Sequence, residues 1–368
     1  MIWRATRRAR LGQWILLLAV AAGLWFLGTN AADNLAQRHV PLGFGYLGNA
    51  ANFDIPFHLI AFGPANTYAR ALLVCLLNTL LVSAMGIVTA TLLGLLVGIM
   101  RLSANWLVRS LALGFIELVR NTPMLVQIVF WYTAVLQTLP GPRQSIHLPL
   151  GILLNIRGIY LPDPSFNASA EFLGWTALAL LLATPLAWRA PKIGGKALLL
   201  PALAAIAIAL GVDHFDQPVM RSFNIAGGVQ LPPELAAVWA GLSIYSAAFI
   251  AEIVRSAIQA VPPGQREAAL SLGMRPGPVM RRVVLPQAMR MMVPPMTSQY
   301  LNLIKSSSLG AAVAYPEIFQ IFAGTILNQS GRETETFAIV MAVFLAINLL
   351  VSAAMAVVNQ RFALRTGR

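Results

Sequence analysis

The chain has 368 residues, of which 58% are hydrophobic and 11% charged, with 26 Lys and Arg against 13 Asp and Glu. Its mean hydropathy of +0.71 excludes an ordinary water-soluble domain, because a buried core could not hide that much apolar surface. The net charge of +13 would suggest nucleic acid in a soluble protein, but its distribution along this chain assigns it to a membrane surface.

A helix needs about 20 apolar residues to cross the hydrocarbon. In chain order that length predicts spans at 12–31, 71–99, 111–138, 172–188, 197–212, 234–258, 288–308 and 336–359. The basic stretch 4–10 before the first span resembles a signal peptide, with small residues at Ala31 and Ala32. The length of the run and the spans behind it predict a retained helix instead. The fifth span is short, and the seventh contains Pro294, Pro295 and Lys305. Basic residues favour one side about three to one, with six of them from Arg255 to Arg290. That bias places both termini in the cytoplasm.

The expected fold class is an all-α integral membrane protein of about eight transmembrane helices. The expected units are an N-terminal helix and loop (1–70), a transmembrane domain (71–362) and a basic tail (363–368). The transmembrane domain is interrupted by a Pro/Gly-rich insertion with two further helices at about 140–230 and contains the basic segment 262–286. The single cysteine, Cys75, excludes an intrachain disulfide, and the four histidines lack ligand spacing, so no metal is expected.

Four stretches stand out in chain order. Gly86, Ala90, Gly94 and Gly98 form a small-residue stripe, suited to close packing inside the chain first and between subunits second. Glu117 and Arg120, three residues apart, are placed to pair within a helix near its cytoplasmic end, in a structural or a gating role. Thr122 and Pro123 follow, and Gln127, deeper, is the better candidate to face a pore. In 262–286, Pro262 and Pro263 start a helix, and Pro276 and Pro278 are expected to end it. Ala268, Ala269, Leu272 and Gly273 then share a face that admits a partner's backbone, with Leu272 and Met274 filling a pocket on it. A basic helix lying on lipid would explain the arginines but not this spacing. Lys305, beside Ser306, Ser307 and Ser308, could receive a carboxylate, snorkel outward or pair with Glu317.

Glu267-Ala268-Ala269, three residues, Gly273, nine residues and Val283-Val284-Leu285-Pro286 resemble the EAA motif of permease subunits of ATP-binding-cassette importers. Val283 stands where Ile is usual. The stretch from Glu117 to Gln127 is similar to E-x-x-R-G-T-P-L-L-x-Q of the polar amino-acid (His/Glu/Gln/Arg) permeases, with Asn121 for Gly and Met124 for Leu. Lys305 to Leu309 resembles their L-I-K-x-S-S-L. Gly43-Phe44-Gly45-Tyr46-Leu47 and Asn155-Ile156-Arg157-Gly158 look like the Q-type subunit of the general L-amino-acid permeases of Gram-negative bacteria.

The resemblance implies a type I importer fold in the bacterial inner membrane. It implies that Glu267, Ala268, Ala269, Leu272, Gly273, Leu285 and Pro286 couple to an ATPase. It makes Glu117, Arg120, Thr122, Pro123, Gln127, Lys305, Ser306 and Ser307 candidates for the gate or pathway. The implied partners are a cytoplasmic ATPase dimer, a second permease subunit in a heterodimer, a periplasmic amino-acid-binding protein and membrane lipid, with no nucleic acid. No cofactor is expected on this chain, which is not expected to be catalytic; ATP and Mg would sit on the ATPase. No G-x-x-x-x-G-K-[ST], H-E-x-x-H or G-x-S-x-G occurs. The function implied is amino-acid import by alternating access. The alternative is an ion-coupled secondary transporter, which would want carboxylates at the bilayer midplane.

Overall fold

A computed structural model describes residues 7–37, 43–166, 199–210, 212–221 and 224–362, with single positions at 173, 176 and 180. Its long helices are α1 (Arg7–Gln37), α2 (Tyr68–Arg101), α3 (Trp106–Arg120), α4 (Met124–Phe130) and α5 (Leu199–Leu210). They continue with α6 (Pro233–Gln259), α7 (Pro263–Ser271), α8 (Leu285–Ser306) and α9 (Glu333–Phe362). Among the described residues, four helices are long and apolar enough to cross a membrane: α1, α2, α6 and α9. The pair α3 and 124–138 makes a fifth if counted as one span. The predicted span 172–188 lies outside the described residues, apart from single positions. Only twelve residues of the short fifth span, those of α5, form a described helix.

The third predicted span is not one rod. Its two halves meet at 99°, because Asn121 ends α3 and Pro123 is held extended before α4 (φ −55°, ψ 138°). Proline lacks an amide hydrogen and its ring blocks a continuing helix. The seventh predicted span is one helix, α8, despite Pro294 and Pro295 inside it, but it is not among the described helices long and apolar enough to cross a membrane.

The bundle is organised on α2 and α6, which run side by side in the same direction. Gly86 faces Leu242, and Gly98 faces Val254. A methyl at Gly94 would lie 2.6 Å from Ile250 Cβ, and one at Gly98 2.8 Å from Val254 Cβ. The small-residue stripe therefore packs within the chain. Gly241 of α6 takes α4 in the same way, with Ile128 Cγ1 at 2.5 Å from its missing Cβ. By contrast α1 leans on nothing in the described chain: its 12–30 stretch is unburied, with Trp25 76% exposed. A helix apolar all round and unpacked by protein is suited to lipid.

At the Tyr68 end the chain closes over itself. Tyr46, Ala51 and Ile55 of the N-terminal loop are buried against Val74, Phe322 and Val340. The Gly43 amide donates to Glu335 (2.8 Å), and Arg332 donates to the Gly43 carbonyl (3.2 Å). Among the described residues the loops add eight short strands to the helical fold, and four of them, β1 (Ile146–Leu148), β2 (Ile152–Asn155), β3 (Gly158–Leu161) and β4 (Val229–Leu231), pair in that order into one sheet. Both arms of the 140–230 insertion supply strands to it, so the insertion returns to its starting point before α6 begins.

Asn78 donates to the carbonyls of Phe57 and Pro316, each at 2.9 Å, and Tyr315 donates to the Asn78 carbonyl. This fastens the 314–318 turn to α2. In that turn Glu317 is fully buried and accepts the amides of Phe319 (2.8 Å) and Gln320 (2.6 Å). Burial pushes its carboxyl from the ordinary 4.5 up to about 7, against the pull of those two amides. The folded chain then holds this proton more tightly than the unfolded chain does. The resulting stability is complete below about pH 4.5 and is lost as pH rises through about 7. Glu317→Gln keeps an acceptor for the amides and removes the titration. Thermal unfolding in detergent is expected to show wild type losing on the order of 1–3 kcal/mol between about pH 5 and pH 8 relative to the variant. Parallel pH profiles for the two proteins would refute the assignment.

Candidate functional site: the coupling segment and the broken span

Leaving α6, the chain turns at Ala260 and Val261 and starts α7 on Pro262 and Pro263. Proline suits the first turn because its missing amide hydrogen would be unpaired there anyway. The helix ends earlier than the prolines predict. The Gly273 amide donates to the Leu270 carbonyl (2.9 Å) and the Met274 amide to that of Ala269 (3.2 Å). Gly273 sits at φ +80°. That is a Schellman close, in which the left-handed residue is the stop signal. Pro276 does not end this helix; it opens the next turn, Pro276–Val279, which runs through a π turn (Met280–Val284) into α8. Leu285 and Pro286 form the first turn of α8.

The expected shared face also divides. Ala269 is buried against the chain's own core, where Met274 packs as well. Glu267 and Ala268 are exposed, and Leu272 is 83% exposed. Met274 is thus not free to enter a partner's pocket, whereas Leu272 is. A Cβ at Gly273 would meet nothing within 4 Å, so this glycine is required by backbone conformation, not by space.

At the break between α3 and α4 the polar residues have other partners than expected. Glu117 and Arg120 form no ion pair. Arg120 lies over the Phe249 ring at 5.1 Å, and Glu117 accepts from Asn121 at 3.4 Å. Phe249 is ten residues from the Gln259 end of α6, about 15 Å along the helix. Arg120 is exposed, but it lies at that level along the bundle and not at its basic end. Gln127 is buried and points into the break, donating to the carbonyls of Val119 (2.9 Å) and Thr122 (3.1 Å). Its amide is committed to these two carbonyls. Thr122 donates to the Leu118 carbonyl (2.9 Å). At the basic end of α6, Glu252 accepts from Arg255 at 2.9 Å.

Lys305 and Ser306 do line a cavity of about 300 Å³, with Gln299 and Asn302 of α8 and Tyr245 and Phe249 of α6. Among the described residues Lys305 makes no ion pair, and Glu317, occupied by backbone amides, does not approach it. Ser307 is buried and donates to the Ile304 carbonyl (2.7 Å), and Ser308 donates to that of Lys305 (2.8 Å). The three hydroxyls therefore do not surround the lysine. Gln299 and Asn302 were missed, although their three-residue spacing to Lys305 marks a polar stripe on one helix face.

With this geometry in hand, comparisons with known proteins are decisive. Residues 90–364 match the family described as binding-protein-dependent transport system inner membrane component. The chain belongs to that family. Related proteins include YhdX of Escherichia coli K12, 45% identical over 98% of this chain and 95% of its own length. The general L-amino acid transport system permease protein AapQ of Rhizobium johnstonii is 42% identical over 95% of this chain and 91% of its own. The glutamate/glutamine/aspartate/asparagine transport system permease protein BztB of Rhodobacter capsulatus is 36% identical over 96% and 93%.

In this family member one side-chain amide serves two carbonyls at the break. Gln127→Leu leaves the Thr122 carbonyl without that donor and the Val119 carbonyl with the backbone amide of Thr122, at 3.3 Å. Unpaired buried groups cost about 1–3 kcal/mol each, so the midpoint of thermal unfolding in detergent is expected to fall clearly. Gln127→Glu, an acceptor when ionised, is expected to be at least as damaging. An unchanged midpoint for both variants would show that the carbonyls have other donors.

Proposed function

We propose that this chain is one transmembrane half of an ATP-driven, binding-protein-dependent amino-acid importer of the bacterial inner membrane. The observation that carries the reading is α7. It is a short helix rooted by Ala269 and stopped by Gly273, and it presents Glu267, Ala268 and Leu272 away from the bundle. A helix presented in this way is suited to fit a groove on another protein. The basic end then lies in the cytoplasm, with both termini there. The partners in this reading are a cytoplasmic ATPase dimer carrying ATP and Mg, a sister permease in a heterodimer, and a binding protein that docks on the strand-bearing loops at the Tyr68 end. The chain itself catalyses nothing.

Substrate passes by alternating access, driven when closure of the ATPase dimer moves α7. The names of the relatives support broad-range L-amino acids as cargo. In the cavity beside α8, Lys305 supplies a positive charge, and Gln299 and Asn302 supply amides, a set that suits a zwitterion's carboxylate.

The test is affinity purification of the tagged chain from native membranes in mild detergent. Wild type is expected to bring down an ATPase and a second permease. Leu272→Asp, which loses roughly 1.5–3 kcal/mol of apolar burial at the contact, is expected to retain the permease and lose the ATPase at least tenfold. Gly273→Val strains the left-handed stop by about 1–2 kcal/mol and is expected to weaken ATPase retention, whereas Gly273→Asn, at home in that conformation, is expected to preserve it. Full ATPase retention by Leu272→Asp, or uptake by the chain in liposomes without ATP, would overturn the reading.

A further inference from the structure

A cleft opens at the basic end, between the segment carrying α7 and the spans. Its deeper part, about 610 Å³, is walled by Leu95 and Ile99 of α2, Val108 of α3, Val254 of α6, and Met289 and Met292 of α8. A shallower part of about 290 Å³ continues beneath α7 to Pro262 and Arg266. The two parts share Leu102, Ile258 and Met280. Leu95 lies six residues above Arg101, the last residue of α2, so the apolar wall reaches about 9 Å into the bundle. Ile99 and Leu285, which also line it, remain 61% and 40% exposed, so the cleft is open and not sealed.

The mouth carries one basic side chain, Arg266, which lines it directly. Among the described residues, no Asp or Glu lines either part.

We propose that this cleft binds one anionic phospholipid, with an acyl chain among Leu95, Met289 and Met292 and the phosphate against Arg266. A polar solute would leave the apolar walls unmatched, and a neutral lipid would leave the arginine unmatched. Methionine adapts to a flexible chain better than branched residues do, and basic side chains at a membrane surface attract anionic headgroups. The bound chain fills the space between α7 and the spans, so it braces the segment that the ATPase is proposed to grip. The lipid site itself rests on the cleft and its charge, and only its leaflet rests on the proposed orientation.

The test places the full chain, with its co-purifying subunits, in phosphatidylcholine vesicles containing phosphatidylglycerol with a photoreactive acyl chain. Cross-links are expected at Met289, Met292 or Leu95. They are expected to be at least about fivefold stronger than with the same photoreactive chain on phosphatidylcholine, the ratio one basic side chain near an anionic surface provides. Val108→Trp with Met289→Trp fills the cleft and is expected to abolish them, while Leu349→Trp, on the exposed face of α9, is not. Should the double variant fail to fold, competition on wild type decides: unlabelled phosphatidylglycerol is expected to suppress the cross-links and phosphatidylcholine to spare them. Labelling confined to outward residues such as Leu92 and Met341, equal for both headgroups, would reduce the lipid to an ordinary annular one and overturn the proposal.

Discussion

The contact between α2 and α6 carries both functional stretches. In lipid, two helices gain nothing by excluding water from their interface, so their association depends on how closely the backbones approach. Gly94 and Gly98 leave no room for a methyl against Ile250 and Val254. Thr89 shares a hydrogen bond with Ser243 at 2.5 Å and accepts from Trp239 at 3.1 Å across the same seam. Such interhelical bonds average about 0.6 kcal/mol in membranes, so they set register more than strength. Beyond the seam α2 turns through 102–105 into α3, while α6 turns through Val261 into α7. One close contact therefore positions both the broken span and α7.

The broken span shows what non-helical backbone requires inside a bundle. A break at 121–123 frees carbonyls that lipid cannot satisfy, and irregular backbone survives there only if the protein supplies donors. Gln127 supplies them with both amide hydrogens, to Val119 and Thr122. Arg120, which forms no ion pair among the described residues, is accommodated on the face of Phe249. The motif residues at the break are therefore first of all what allows the 99° bend to exist.

Legibility from sequence followed the range of the interaction. The stripe Gly86, Ala90, Gly94, Gly98 was readable because a four-residue period fixes one helix face whatever lies opposite. The α7 helix was readable because its prolines act on their own backbone. Its end was misplaced because Pro276 is equally at home at the first turn of a helix, and only the φ of +80° at Gly273 identifies the stop. The inward turn of Ala269 and Met274 depends on the core formed by Val279 and Val284, which no local pattern reveals. Gln127 was read as pore-facing because a polar residue in a span suggests a pathway. The competing demand came from carbonyls five and eight residues away that become free only once the helix breaks. Of the three roles open to Lys305, pairing with Glu317 drops out for a similar reason: the backbone amides of Phe319 and Gln320 occupy the carboxylate.

The path from α7 to the polar cavity is one continuous piece of chain. Ala269 and Met274 root α7 on the core beside Val279 and Val284, and the chain then enters α8 through the π turn Met280–Val284. Single π turns inside helices are frequent at functional positions because they interrupt regular hydrogen bonding without ending the helix. Beyond it α8 runs 22 residues, about 33 Å, and its far half carries Gln299, Asn302 and Lys305 on one face. A displacement of Leu272 and Ala268 would therefore reach α8 through this π turn, and the far half of α8 lies at the cavity. Resistance to that movement comes from the packing beside the π turn, where Met280 closes one side of the apolar cleft and Met289 and Met292 another. Whatever fills that cleft sets how stiffly α7 is joined to α8.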